Sequence, residues 1–330
     1  MLQQLQAFFP IIIINIICGI CLLLYGIHLM SDALKKANTK LIENTLKTVT
    51  HRLWLCIPVS IVITAIMQSS SAVTVMTIGF VKAGVMRFPQ TMGIIYGANI
   101  GATFTAHLMS FNMGSLTIPL LCVGLLLRIC TNKKKLHYIA FCFIGLGMVF
   151  LGLTLLQINV PYLAKNPRTY GLFATYGQNP YTAILIGTIA TMIVQSSSAT
   201  IGITIVLFNH QLIPLESALG LTMGINMGTC ITALLASIKG GIAARRTAWA
   251  HTLYNVIGMA IFGVFLLKPF TKLVLWVTAA LNQADIRIIA NGHTLFNILI
   301  MLLFLPVTKQ YVAFIQKIIP KTSSATKKRY

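Results

Sequence analysis

Two short runs carry the residues of this chain that could do chemistry: Gln68–Ala72 and Gln195–Ala199 both read QSSSA. Each supplies three hydroxyls and one amide, groups that are costly in an apolar setting unless they find partners. Where a helix breaks at such a run, the next half-helix presents free N–H groups and the positive end of its dipole. That is an anion site, and the serines add hydroxyl donors to it. A single serine run is equally well read as close packing of small residues between helices. Two matching runs, each at an expected break, argue for the anion site.

The match extends beyond the five residues. At a constant offset of 127, Thr77 pairs with Thr204, Gly93 with Gly220, Gly97 with Gly224, Asn99 with Asn226 and Gly101 with Gly228. In all, 15 of the 43 positions from Gln68 to Ser110 are identical without a gap, so the chain contains an internal repeat. Gly19 and Gly26 echo Gly145 and Gly152 at an offset of 126.

The repeated G-x-N-x-G segments are the natural partners of the QSSSA runs. Paired glycines weaken a helix and free its carbonyls. With the Asn oxygens and nearby hydroxyls, these make a hard-oxygen site suited to a small monovalent cation. Glycines for close packing, with Asn as an interhelical hydrogen bond, are the alternative. Gln68, Gln195, Asn99, Asn226, Thr103 and Thr229 are therefore expected to coordinate a cation or to lock the breaks. Asp32, Glu43, Glu216 and Asp285 are the only carboxylates and fall at or beyond span ends. A proton relay through them is disfavoured, and coupling to a metal cation held by neutral oxygens is favoured. The echoed HTLYN (His251–Asn255) and HTLFN (His293–Asn297) are expected to make helix-end hydrogen bonds, with a gating role as the alternative.

These motifs must be positioned by membrane-spanning helices. The chain has 330 residues, 57% hydrophobic and 9% charged, against about 25% charged in soluble domains. Its apolar runs Phe8–Met30, Leu136–Leu156, Thr247–Leu267 and Ile286–Leu305 are each near the roughly 20 residues a spanning helix needs. The net charge of +21 comes from Lys and Arg between these runs rather than from a nucleic-acid module. The uncharged N-terminus lacks the n-region of a signal peptide, so the first run is expected to be retained. Cys18 and Cys21 have CxxC spacing without a second pair and read as small apolar residues in a span. No transition-metal, nucleotide or hydrolase motif occurs. The chain is expected to be no enzyme, to carry no cofactor, and to draw nothing from ATP.

Each QSSSA segment, 58–86 and 180–210, is about 30 residues long with its polar cluster near the middle, which suits a re-entrant pair of half-helices. Pro58 and Pro180 are expected to open these segments. Every half then crosses the membrane three times, and the second half is inverted. The expected organisation is repeat 1 over 1–135, repeat 2 over 136–267, an extra span within 268–308 and a basic, frayed cytoplasmic tail over 309–330. Residues 31–57 and 157–179 are expected to connect span to hairpin. In this inverted arrangement 20 Lys and Arg lie on one side and five on the other. The positive-inside rule then places the N-terminus outside and the C-terminus in the cytoplasm. The fold class is an all-α integral membrane protein of two inverted-topology repeats plus one extra C-terminal span.

The paired QSSSA runs, each followed by a G-A-N-I-G-A-T-like span, resemble the type II sodium/phosphate cotransporter family. So do the Gly19–Ser31 run and the A-R-R-x-A-x-x-H-x-x-Y-N run at Ala244–Asn255. The resemblance covers roughly residues 15–300. It implies sodium-coupled symport of inorganic phosphate across a plasma membrane, the inner membrane in a bacterium. Ser69, Ser70, Ser71, Ser196, Ser197 and Ser198 are then the phosphate ligands, and sodium is the coupling ion. A passive anion channel or a phosphate exporter using the same site is the alternative. Phosphate, sodium and membrane lipid are the expected partners, with no nucleic acid; a homo-oligomer is admitted. Many bacterial members carry a soluble domain resembling PhoU after the last span; residues 306–330 are too few for one.

Overall fold

The computed structural model describes residues 2–49, 52–111, 114–164, 167–283 and 285–320, and regular structure among them is entirely helical. The first half comprises α1 (Leu2–Val49), α2 (Leu53–Met67), α3 (Ser70–Lys82), α4 (Thr91–Met109) and α5 (Thr117–Cys130). The second comprises α6 (Lys134–Ala164), α7 (Pro167–Tyr176), α8 (Pro180–Val194), α9 (Ser197–Asn209), α10 (Leu215–Ser237) and α11 (Gly241–Met259), which ends in a π-helical stretch, Ala260–Phe265. Then follow α12 (Leu267–Ala280), α13 (Ile288–Phe304) and α14 (Thr308–Ile318).

Among the described residues, five helical stretches are long and apolar enough to cross a membrane: Pro10–Asn38, Lys134–Tyr162, Leu215–Ser237, Gly241–Phe265 and Asp285–Phe304. The chain is an all-α integral membrane protein. Of the seven crossings that the repeat implies, α4 and α5 qualify only when taken together. The reason lies in their composition: α4 is rich in Gly and Thr and almost wholly enclosed by protein, and α5 has 14 residues. Ile11, Ile14 and Ile17 on α1 and Ile118, Leu125 and Ile129 on α5 are exposed, as lipid-facing side chains would be. Cys18 and Cys21 are free, exposed thiols on α1.

Repeat-related glycines set the main packing contacts. A Cβ on Gly19 would lie 3.0 Å from the Gly152 carbonyl oxygen, and one on Gly145 would lie 2.7 Å from that of Gly26. Early α1 therefore meets late α6 and the reverse, so the two helices run antiparallel with their backbones in contact. On α4, Gly93, Gly97 and Gly101 recur every four residues and face α2 at Cys56, Ile57 and Ile61 in turn. On α10, Gly220, Gly224 and Gly228 face α8 at Pro180, Ile184 and Thr188. Within each pair the contacts advance in the same direction, so α2 is parallel to α4 and α8 to α10.

That parallelism makes each QSSSA segment a hairpin. Only residues 83–90 join α3 to α4 and only 210–214 join α9 to α10. Each of α3 and α9 must therefore end at the level where α2 or α8 began. Consistently, Met86, after α3, shares a buried cluster with Cys56 at the start of α2. Half-helices of 15 and 13 residues, about 22 and 20 Å long, stop short of the roughly 30 Å hydrocarbon thickness.

Several sequence expectations are corrected. The G-x-N-x-G glycines do not loosen their helices: α4 and α10 run unbroken, because the glycines admit the neighbouring backbone. Residues 31–57 are not a connecting stretch, since α1 is one helix of 48 residues; Ala, Leu and Lys beyond the apolar run are good helix formers and carry it on. Pro180 opens α8 at N1, but Pro58 lies inside α2, which starts at Leu53. The apolar Leu53–Ile57 extends that helix upstream. Within 157–179, α7 forms.

The tail expected to fray instead begins as α14, which buries Tyr311, Val312 and Ile315. Its C-terminal carbonyls are capped by Arg246, whose Nε donates to Ile319 O at 2.8 Å. Residues 321–330 of that tail lie outside the described residues, as does the Glu43 side chain.

Candidate functional site

Both breaks have the same backbone. Gln68 (φ 54°, ψ 23°) and Gln195 (φ 53°, ψ 24°) sit in the left-handed region directly after α2 and α8. Their N–H groups donate to Thr64 O and Thr191 O, each at 2.8 Å. Ser69 and Ser196 return to extended backbone as N-caps of α3 and α9, their Oγ accepting from Ala72 N at 3.2 Å and Ala199 N at 3.3 Å. A non-glycine residue in the left-handed region costs about 1–3 kcal/mol, and two related positions bear that strain. Each break reverses the chain and aims a helix N-terminus, with first-turn N–H groups that its own helix cannot satisfy.

The two breaks meet at one cavity of about 290 Å³, lined by Gln68, Ser69, Ser71, Gln195, Ser196, Ser197 and Ser198. Ser70, at the first position of α3, is buried and stands behind this wall. α1 completes the wall with Leu24, Ile27, His28 and Ser31. The polar surface is thus hydroxyls, amides, one imidazole and two helix N-termini, an arrangement suited to an oxyanion.

The breaks differ in their surroundings. Gln68 is buried, its Oε1 accepts from Thr105 Oγ1 at 2.7 Å, and the Met67 carbonyl beside it accepts from Ser31 Oγ at 2.7 Å. Gln195 is exposed.

Asn99, Asn226, Thr103 and Thr229 do not line the cavity. They are buried in the flanking helices and bonded there. Asn99 Nδ2 donates to Ile95 O at 2.8 Å, and Thr229 Oγ1 to Ile225 O at 2.7 Å. Asn226 Nδ2 donates to Asn297 Oδ1 at 2.8 Å, while its Oδ1 faces His293 Nε2 at 2.8 Å. Thr294 Oγ1 donates to Thr103 Oγ1 at 2.8 Å and lies 2.9 Å from His107 Nε2. The HTLFN run therefore stitches α13 to α4 and α10 from within a helix rather than capping its end. HTLYN is likewise internal to α11, with His251 and Asn255 buried beside Cys230.

Sequence reasoning missed the α1 contribution. His28 lies far from both serine runs in the chain, yet it lines the cavity. Ser31 closes the Gly19–Ser31 run that carried part of the family resemblance, which was the available signal. Asp32 is also nearer the site than expected, because α1 continues past it. Its Oδ2 is 3.8 Å from His28 Nε2 and 3.6 Å from Lys36 Nζ. Among the described residues no cluster of His, Cys, Asp and Glu could hold a metal ion.

Comparison with known proteins gives this geometry a context. The family model described as Na+/Pi-cotransporter matches residues 22–158 and 163–284. The Bacillus subtilis protein named "Uncharacterized protein YqeW" is 34% identical over 310 residues, 94% of this chain and 99% of that one. The "Putative inorganic phosphate export protein YjbB" of Escherichia coli K12 is 24% identical over 307 residues, 93% of this chain but 56% of that one. Human "Sodium-dependent phosphate transport protein 2B" is 32% identical over 132 residues, 39% of this chain and 18% of that protein. No solved structure matches.

Proposed function

The chain belongs to the Na+/Pi-cotransporter family, and from that premise we propose that it is a secondary active transporter coupling inorganic phosphate to sodium. The observation that carries this reading is the meeting of both QSSS breaks at one cavity. Phosphate would sit between the N-termini of α3 and α9, accepting from Ser69, Ser71, Ser196, Ser197 and Ser198, with Ser70 supporting the first turn. Helix dipoles and hydroxyls supply positive potential there.

Sodium would lie close to the breaks, coordinated by carbonyls of the left-handed turns and by the Gln68 and Gln195 amides. Its charge would offset that of the anion while the loaded carrier changes its facing. Asn99 and Thr229 bond within their own helices, and Asn226 and Thr103 bond to α13, so a locking role for these four would act on the hairpins only through α4 and α10.

Transport by alternating access follows from an inverted repeat. The reciprocal contacts Gly19–Gly152 and Gly26–Gly145 support it, because antiparallel packing of repeat-related helices is what a two-fold axis in the membrane plane produces. The charge asymmetry of the loops supports an outside N-terminus and a cytoplasmic C-terminus. In that topology His28, Asp32 and Lys36 lie toward the cytoplasm. With Gln68 buried and Gln195 exposed, the cavity would then face inward.

Export is the second reading, favoured by the relative printed as a phosphate export protein that matches 93% of this chain. Radiolabelled phosphate uptake into proteoliposomes, with an inward sodium gradient or potassium in its place, separates the two. Sodium-dependent accumulation above equilibrium supports symport; equal uptake in both salts supports a sodium-independent exporter or channel.

A further inference from the structure

The cavity wall contains one side chain able to carry charge, His28. All other polar groups there are hydroxyls and amides. Its ring faces Asp32, one turn along α1, across 3.8 Å, and Asp32 is shared with Lys36 at 3.6 Å. The His28 side chain is 73% exposed, so its ring is not enclosed by protein. No residue that lines the cavity from α2, α3, α8 or α9, or from the breaks between them, is titratable, and α6, which packs on α1 through Gly145, contributes none to the wall. Among the described residues, the charged group in contact with His28 is Asp32, which is shared with Lys36.

We propose that His28 is a specificity-determining residue of the transporter: its imidazolium form is the charged donor for the oxyanion, and Asp32 holds the ring when the cavity is empty. The inference rests on the phosphate site argued above. Imidazole is the side chain that gains charge in the neutral range. When protonated it has two N–H groups, so one can remain toward Asp32 while the other meets an anion oxygen. An N–H⁺ to anion bond is about twice as strong as a neutral one. Neutral imidazole presents one N–H and no net charge. The cavity would therefore hold phosphate more tightly with an imidazolium at this position than with a neutral side chain in its place.

The test is binding of labelled inorganic phosphate to the purified full chain in sodium-containing detergent buffer, comparing parent, His28→Gln and His28→Lys. His28→Gln is expected to bind about tenfold more weakly than the parent. His28→Lys, which keeps a charged donor at this position, should bind at least as tightly as the parent. It also guards against a merely structural loss in the Gln variant. Parental affinity in His28→Gln, or His28→Lys binding as weakly as His28→Gln, would overturn the role of His28. If the parent itself binds no phosphate, the phosphate-site reading fails and takes this inference with it.

Discussion

The Thr105 hydroxyl donates a 2.7 Å hydrogen bond to Oε1 of Gln68, the residue at which the first hairpin reverses. Through it, α4 fastens the tip of the hairpin whose first arm it already packs against. The equivalent residues of the second half, Thr232 and Gln195, are not joined this way: Thr232 Oγ1 donates to Thr229 O at 2.9 Å and Gln195 is exposed. One hairpin tip is tied and the other is free.

That difference makes a first prediction. Thr105→Val should leave the buried Gln68 oxygen unpaired, at a cost of about 1–3 kcal/mol. Thr232→Val should change little. Hydrogen exchange of residues 66–72 should accelerate in the first variant, with residues 193–199 unchanged in the second.

The glycine contacts make a second prediction. A Cβ on Gly97 would meet the Ile57 carbonyl oxygen and lie 2.6 Å from Ser60 Cβ, whereas one on Gly79 meets nothing within 4 Å. Gly97→Ala should destabilise by roughly 1–3 kcal/mol, as overpacking does. Gly79→Ala, inside α3, should be neutral or gain about 0.5–1 kcal/mol. Thermal unfolding in detergent reads both.

Backbone strain at the breaks makes a third. Gln195 holds φ 53°, a region that a β-branched residue hardly enters. Gln195→Val should destabilise by about 1–3 kcal/mol, whereas Gln195→Gly should preserve folding. Equal melting temperatures for the two variants would show that the left-handed turn is not held.

Topology makes a fourth. In a cysteine-free background, Lys133→Cys and Lys239→Cys should react with impermeant maleimide only from the cytoplasmic side. Reaction of either in intact cells would contradict an outside N-terminus and an inverted second half.

Much of this was legible in the residues. The gapless offset of 127 exposed the two halves, and the mid-segment position of QSSSA located both breaks to within that run, because a polar cluster in hydrocarbon must end a helix or line a cavity. What could not be read was which elements complete the site. His28 and Ser31 reach the breaks because α1 packs directly against them, Ser31 bonding to the Met67 carbonyl 36 positions away, a tertiary contact that residue spacing does not announce. The glycines of α4 and α10 were read as loosening a helix when they admit a neighbour. Gly-x-x-x-Gly spacing signals close packing in membranes, and three glycines in that spacing were present in each helix. Pro58 misled because a proline signals a helix start only when no good helix formers precede it, and here Leu53–Ile57 do.

The central claim is that one phosphate is held between the two breaks, and the direct measurement is labelled-phosphate binding to purified parent, Ser71→Ala, Ser198→Ala and the double variant. Each serine faces the shared cavity from a different half. The account predicts one phosphate per chain, weakening of about ten- to a hundredfold in each single variant, as for loss of one hydrogen bond to a charged group, and weaker binding still in the double. A double variant that binds one phosphate per chain with parental affinity would place the anion elsewhere.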